Sequence, residues 1–293
     1  MIIHNPPFSS RMELTDFRTA IDRYKVLFFD AFGVLKTYNA LIPGIEKTFG
    51  YLRETGKEFY ILTNDASRSP EQLAESYHRL GLYDIGPDSI VSSGMLAREY
   101  LQYKVENGTV AYLGTRNSAH YLETAGLKAL SIADLDPENM DDIRALVFMD
   151  DEGFDWNTDL NKTLNLIRRR TIPVIVANTD KTYPMGMKTV AIAIGAVAKM
   201  IEDIVGKQFM RFGKPDAQMF IFAYQHIQNN PGVSRSDILM VGDTLHTDIL
   251  GGNKFGLDTA LVLTGNTRLE EVDMRIRSTG IIPTYICESA VVK

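Results

Sequence analysis

Asp30 closes the apolar run Val-Leu-Phe-Phe-Asp at 26–30 and is followed by Ala-Phe-Gly-Val-Leu, so a strand ends in a carboxylate on a glycine-containing turn. Buried parallel strands read as unbroken apolar runs, and open α/β sheets bind ligands beyond the carboxyl ends of such strands. A carboxylate there is presented as a nucleophile. Three later segments have a similar form. Phe-Tyr-Ile-Leu-Thr-Asn at 59–64 carries Thr63 and Asn64, Gly-Lys-Pro at 213–215 carries Lys214, and Ile-Leu-Met-Val-Gly-Asp at 238–243 carries Asp243, with Asp248 beyond it. Singly they are ordinary, since an Asp at a strand end commonly serves a turn or a helix cap and Gly-Lys-Pro is a turn. Together they supply a nucleophile, a hydroxyl, a cation and extra carboxylates.

The surrounding pattern is that of an α/β fold. Strands at 26–30, 58–63 and 90–91 alternate with helices at 44–55, 70–80 and from about 94, which implies right-handed crossovers and a parallel sheet. A second series starts over with strand 109–113, helix 117–125, strand 145–149, helix 159–170, strand 174–177 and a helix near 190–205. After Lys214 the first pattern resumes with a helix at 216–229, strand 238–242, a helix at 247–255 and strand 259–263. One continuous doubly wound domain is the simpler alternative, but the second series has strands and helices of its own. Within it, Asp-Asp-Glu-Gly-Phe-Asp at 150–155 lacks calcium-loop spacing and reads as a polar loop, and Trp156 reads as a packing residue.

With 293 residues, 45% hydrophobic and 23% charged, the chain is long enough for two domains of ordinary size. A net charge of -6 provides no basic field for nucleic acid, and Arg168-Arg169-Arg170 suits the negative end of a helix dipole. The single cysteine, Cys287, excludes an intramolecular disulfide and any cysteine-based zinc cluster, and it fits a reducing cytoplasm. The first residues show no basic region followed by an apolar stretch, and no window reaches the ~18 apolar residues of a membrane span. His4, His78, His120 and His226 have no metal-ligand spacing.

In order and local context, the four segments resemble the motifs of the haloacid dehalogenase (HAD) superfamily of phosphohydrolases from about residue 25 to 265. The match is nearest to the NagD-like branch of sugar, p-nitrophenyl and pyridoxal phosphate phosphatases. That branch is carried by Leu-Thr-Asn-Asp-Ala-Ser-Arg-Ser at 62–69, Ala-Asn-Thr-Asp at 177–180 with Tyr183-Pro184, Phe-Gly-Lys-Pro at 212–215, and Val-Gly-Asp-Thr-Leu-His-Thr-Asp-Ile at 241–249. The resemblance implies a Rossmann-like parallel-sheet core at 1–103 and 209–293, interrupted by an inserted α/β cap at 104–208. It also implies a magnesium-dependent hydrolase that removes phosphate from a small phosphorylated metabolite. Asp30 would form an aspartyl phosphate, which water then hydrolyses. Asp30, Asp243 and the backbone carbonyl of Phe32 would hold Mg2+, with Asp248 orienting a magnesium water or Lys214. The Thr63 hydroxyl, the Asn64 backbone amide and Lys214 would grip phosphate oxygens. Asn178 and Asp180 would face the substrate from the cap, and two copies would pair through their caps.

One position departs from the family pattern. Phosphatases of this kind carry a second Asp two residues after the nucleophile, as acid and then base, and this chain has Phe32. Loss of a general acid/base typically removes ~10²- to 10⁴-fold in rate while leaving phosphate and metal binding in place. Asp65, next to the phosphate-gripping pair, and His246, between Asp243 and Asp248, are the candidate substitutes. Otherwise Asp65 caps the following helix and His246 is an exposed loop residue. Two other functions stay open on this ground: a regulatory protein that binds phosphate and Mg2+ with weakened turnover, or a phosphotransferase that passes the phosphoryl group to an alcohol.

Overall fold

The computed structural model describes residues 13–105, 107–185, 189–227 and 232–293, so His4 and the end of the helix expected at 216–229 lie outside the described residues. Strand β1 (Val26–Phe29) is buried along its whole length, as four consecutive apolar residues require, and it forms the middle of a six-stranded sheet. Its parallel partners are β2 (Glu58–Thr63) on one side and β11 (Ile238–Gly242) on the other. Strand β3 (Ile90–Ser92) extends the sheet beyond β2, and β12 (Asp258–Val262) and β13 (Tyr285–Cys287) extend it beyond β11. Because side chains alternate across a strand, Phe28, Leu62 and Met240 share one apolar layer while Leu27, Phe29, Ile61 and Val241 share the other. Helices 93–104 and 217–227 cover the first layer, and helices 45–55 and 70–79 the second.

The second series forms its own parallel sheet. It contains β4 (Thr109–Leu113), β5 (Lys128–Ser131), β6 (Ile143–Phe148), β7 (Val174–Val176) and β10 (Met210–Arg211), in the order β10-β7-β6-β4-β5. This is the inserted α/β cap. Leu113, Leu146, Phe148 and Val176 pack on helices 158–169 and 194–205, whereas Val110, Tyr112, Val147 and Ile175 join the apolar layer shared with the core. Strand β10 lies past residue 208 but pairs with β7.

Two segments differ from the sequence expectation. The helix read near 190–205 begins at Ile194, and the preceding Val190–Ile192 is a strand, β9, paired antiparallel with β8 (Thr182–Pro184). Val190 and Ile192 are β-branched and alternate with Ala191, which suits a strand. The helix expected at 247–255 starts with a π-helical turn, Leu245–Ile249, that turns Asp248 inward, and continues as Leu250–Phe255. No helix among the described residues is long and apolar enough to cross a membrane. Trp156 is 43% exposed and stacks on Phe154, so it lies on the cap surface.

Candidate active site

Parallel pairing brings the ends of β1, β2 and β11 to one edge of the core sheet, and the functional side chains start there. The Asp30 amide donates to the Val241 carbonyl at 2.9 Å, holding the residue at the strand tip. Lys214 arrives from the other end of the cap insertion. Its Nζ lies 2.5 Å from Asp30 Oδ1 and 2.7 Å from Asp248 Oδ1, and both Lys214 and Asp248 are buried. Asp243 Oδ2 accepts from the Asn266 amide at 2.6 Å and Oδ1 from the Thr244 hydroxyl at 2.7 Å. Asp30, Asp243 and Asp248 each offer an oxygen within 4.8 Å of the others.

The electrostatics follow from crowding. Burial opposes the charge of Lys214, but Asp248, Asp30 and Asp180 outweigh it and hold the ammonium firmly protonated. Burial and then the charges of Asp30 and Asp248 push the Asp243 carboxyl well above its usual range. One ammonium thus pairs with two carboxylates while the third, Asp243, lies beside them without a cation, and a further cation would relieve the cluster. The site fits a hard divalent ion on two counts. Its donors are all oxygens, and a Cβ at Gly33 or Gly265 would collide with Asp243 Oδ2, so glycine at both positions leaves that carboxylate its room.

Phosphate-gripping candidates lie at the same floor. Thr63 is buried, and its Oγ1 accepts from the Asp65 amide at 3.1 Å. The Asn64 side chain is fully engaged: Oδ1 accepts from the Lys214 amide at 2.7 Å, and Nδ2 lies 3.1 Å from Thr179 Oγ1, 2.9 Å from Asp180 Oδ1 and 3.1 Å from the Lys214 carbonyl. Asn178 Oδ1 accepts from the Asp180 amide at 2.9 Å, so the cap segment 178–180 is a tight turn docked on the core. Burial raises the Asp180 carboxyl to about 6, with the charge of Lys214 pulling against it. Asp65 Oδ1 accepts from the Ser67 amide at 2.8 Å and hydroxyl at 2.6 Å, so it closes a turn and does not cap the following helix, whose N-cap is Ser69, while His246 is exposed. Both nonetheless line the same cavity, of about 810 Å³, as do Asp30, Thr63, Asn178, Asp180, Lys214 and Asp243.

Several wall residues were not read from the sequence as lining the site. Tyr183 lies 5.9 Å from the Phe32 ring and 6.3 Å from that of Tyr38, centroid to centroid. Its hydroxyl donates to Asp151 Oδ2 at 3.1 Å. The loop read only as polar thus turns Asp150, Asp151 and Glu152 into the cavity. The run of acids at 150–155 was visible in the sequence; its facing direction was not.

Burial, and then the charges of Asp65, Asp151 and Glu152, raise the Asp150 carboxyl to about 7. A carboxyl whose folded pKa is raised favours the folded state at low pH and loses that contribution as pH rises toward 7. Asp150→Asn is therefore expected to stabilise the protein by about 2 kcal/mol at about pH 8 and hardly at all at about pH 4, read by urea denaturation at both. Equal effects at the two values would exclude this origin.

A haloacid dehalogenase-like hydrolase family model matches residues 27–128, and a second HAD-hydrolase-like model matches 211–290. A solved structure from Cytophaga hutchinsonii, described as a possible sugar phosphatase of the HAD superfamily, is 62% identical. It superposes with a TM-score of 0.92 over 96% of this chain and 99% of that one. The chronophin of Bos taurus is 28% identical over 93% of both chains. The glycerol-3-phosphate phosphatase of Gallus gallus is 29% identical over 95% of this chain and 94% of its own.

Proposed function

Since the chain belongs to the haloacid dehalogenase superfamily and is similar over nearly its whole length to phosphatases of that family, we propose that it hydrolyses small phosphate monoesters with Asp30 as nucleophile. The observation that carries this reading is the meeting of Asp30 with Lys214 at 2.5 Å, and with Asp243 and Asp248 within 4.8 Å, on the floor of one cavity. Phosphoryl transfer asks a protein chiefly to position the reactants in line and to neutralise charge. Asp30 attacks phosphorus as the ester P–O bond breaks and the alcohol leaves, forming an aspartyl phosphate, and water then attacks its phosphorus, releasing inorganic phosphate and restoring the carboxylate. Lys214, the Thr63 hydroxyl and the Asn64 backbone amide hold the phosphoryl oxygens. Asp248 fixes the Lys214 ammonium. Mg2+, held by Asp30, Asp243 and the Phe32 carbonyl, would supply charge neutralisation on the transferring phosphate.

The cap, which we place at about 104–208, closes over this floor, and its segment 178–180 borders the substrate. The test is phosphate release from p-nitrophenyl phosphate with Mg2+ and with excess chelator, together with phosphate labelling of the protein that hydroxylamine removes. Release that ignores the chelator, or a protein that never takes label, would overturn the mechanism.

Phe32 favours slow turnover. Its ring packs on Tyr183 and under the Lys36 ammonium, so position 32 offers no proton to a leaving alcohol. Nitrophenolate leaves unaided, whereas an alkoxide needs that proton. Phe32→Asp should therefore raise kcat on glycerol phosphate by about 10²-fold and barely change it on p-nitrophenyl phosphate. If glycerol phosphate hydrolysis stays unchanged, another group already donates, and Asp65→Asn and His246→Asn identify which one.

A further inference from the structure

Lys36 is a charged side chain with a setting the reaction above does not explain. It sits on the loop after Asp30, where the Gly33 amide donates to its carbonyl at 2.8 Å, and only 6% of the residue is exposed. Its Nζ lies 4.7 Å from the centre of the Phe32 ring and 4.8 Å from that of Tyr77. Among the described residues its ammonium has no hydrogen bond and no ion pair and lies against two ring faces. The two ring faces attract the ammonium, but they accept none of the hydrogen bonds that its three N–H donors can make. The small remaining opening faces the active-site cavity, which Lys36 lines.

A second cation stands nearby. Arg68 also lines the cavity, its positive charge is felt at Lys36, and its guanidinium has no carboxylate partner among the described residues. Asp65 acts on Lys36 only at a distance, because its carboxylate is turned to Ser67. The transferring phosphate already has Lys214 on the floor. The charge of Asp30 also reaches Lys36, but its carboxylate is paired with Lys214, so two further cations without an ion pair among the described residues line this cavity and suit a second anion.

We propose that Lys36, with Arg68, forms an anion subsite that takes a second negatively charged group of the phosphorylated substrate, a carboxylate or another phosphate. Phe32 belongs to this arrangement, because a carboxylate at position 32 would compete for the Lys36 ammonium, whereas a ring cradles it and leaves its charge for the ligand. The inference rests on the phosphatase reading for the word substrate, but its test does not depend on turnover.

Calorimetry on the full chain with Mg2+ would compare three stable phosphonates: propylphosphonate, phosphonopropionate and propane bisphosphonate. The carboxylate-bearing or bisphosphonate probe should bind the parent about 10- to 100-fold more tightly than propylphosphonate, and the stronger of the two identifies the second anion. Lys36→Met should abolish that advantage and leave propylphosphonate unchanged, while Lys36→Arg should retain most of it. Arg68→Gln gives the same reading should Lys36→Met fail to fold. No preference in the parent, or a Lys36→Met loss shared equally by all three probes, would overturn the subsite. A preference that persists in a protein showing no Asp30-dependent hydrolysis would instead overturn the phosphatase reading and leave the subsite standing.

Discussion

Asp30→Asn is expected to lower kcat on any phosphate monoester by about 10⁴-fold or more, the scale on which loss of a covalent nucleophile is felt. Asparagine keeps the shape and the backbone hydrogen bond to Val241, so the loss falls on chemistry and not on folding. A carboxamide has neither the charge nor the nucleophilicity to attack phosphorus. Lys214 keeps its ion pair with Asp248 at 2.7 Å, and the phosphate grip at Thr63 and Asn64 is untouched. The KM of p-nitrophenyl phosphate should therefore move far less than kcat. An unchanged thermal melt would confirm that the variant is folded. Retention of more than about one per cent of the parent rate would mean that water attacks directly or that another side chain forms the covalent bond.

Lys214→Met should be the most destabilising of the site substitutions. Removing one partner of a buried ion pair costs about 3–5 kcal/mol, because the other charge is left uncompensated. Here the ammonium serves two carboxylates, Asp30 and Asp248, with Asp243 beside them. The methionine chain keeps most of the lysine's volume, so packing loss is small and the effect reads as electrostatics. Urea denaturation would measure it. Added Mg2+ should restore part of the lost stability, since a ligand that binds only the folded state stabilises it by mass action. Turnover should fall as well, because the cation that faces the transferring phosphate is gone. A variant as stable as the parent without metal would show that the three carboxylates do not carry the charges assigned to them.

Much of the floor was legible in the sequence because strand ends obey local rules. An apolar run that stops at a carboxylate, a hydroxyl or an acidic turn needs only the parallel sheet to bring its end to the common edge. Val26–Phe29, Glu58–Thr63 and Ile238–Gly242 do this for Asp30, Thr63 and Asp243. The walls were not legible in the same way. Tyr183 reaches Phe32 across a distance set by how the hairpin 182–192 docks, and Asp151 reaches Tyr183 across another 32 positions. Neither relation has a spacing that periodicity could reveal. Lys36 went unnoticed for a different reason. Four residues after Phe32 it reads as an ordinary surface lysine, and only the tight loop folding back on itself turns it inward. Val190–Ile192 was misread because three residues hold too little pattern to separate a strand from the first turn of a helix.

The carboxamide of Asn64 joins the floor of the cavity to the segment 178–180 that follows β7. One end of the amide grips the main chain of residue 214, and the other reaches Thr179 and Asp180 on the lid. Any swing that carries the lid segment away must break its bonds to Nδ2 while those to the main chain hold. Were that segment to swing outward, the same small group would act as a latch between it and the main chain of residue 214.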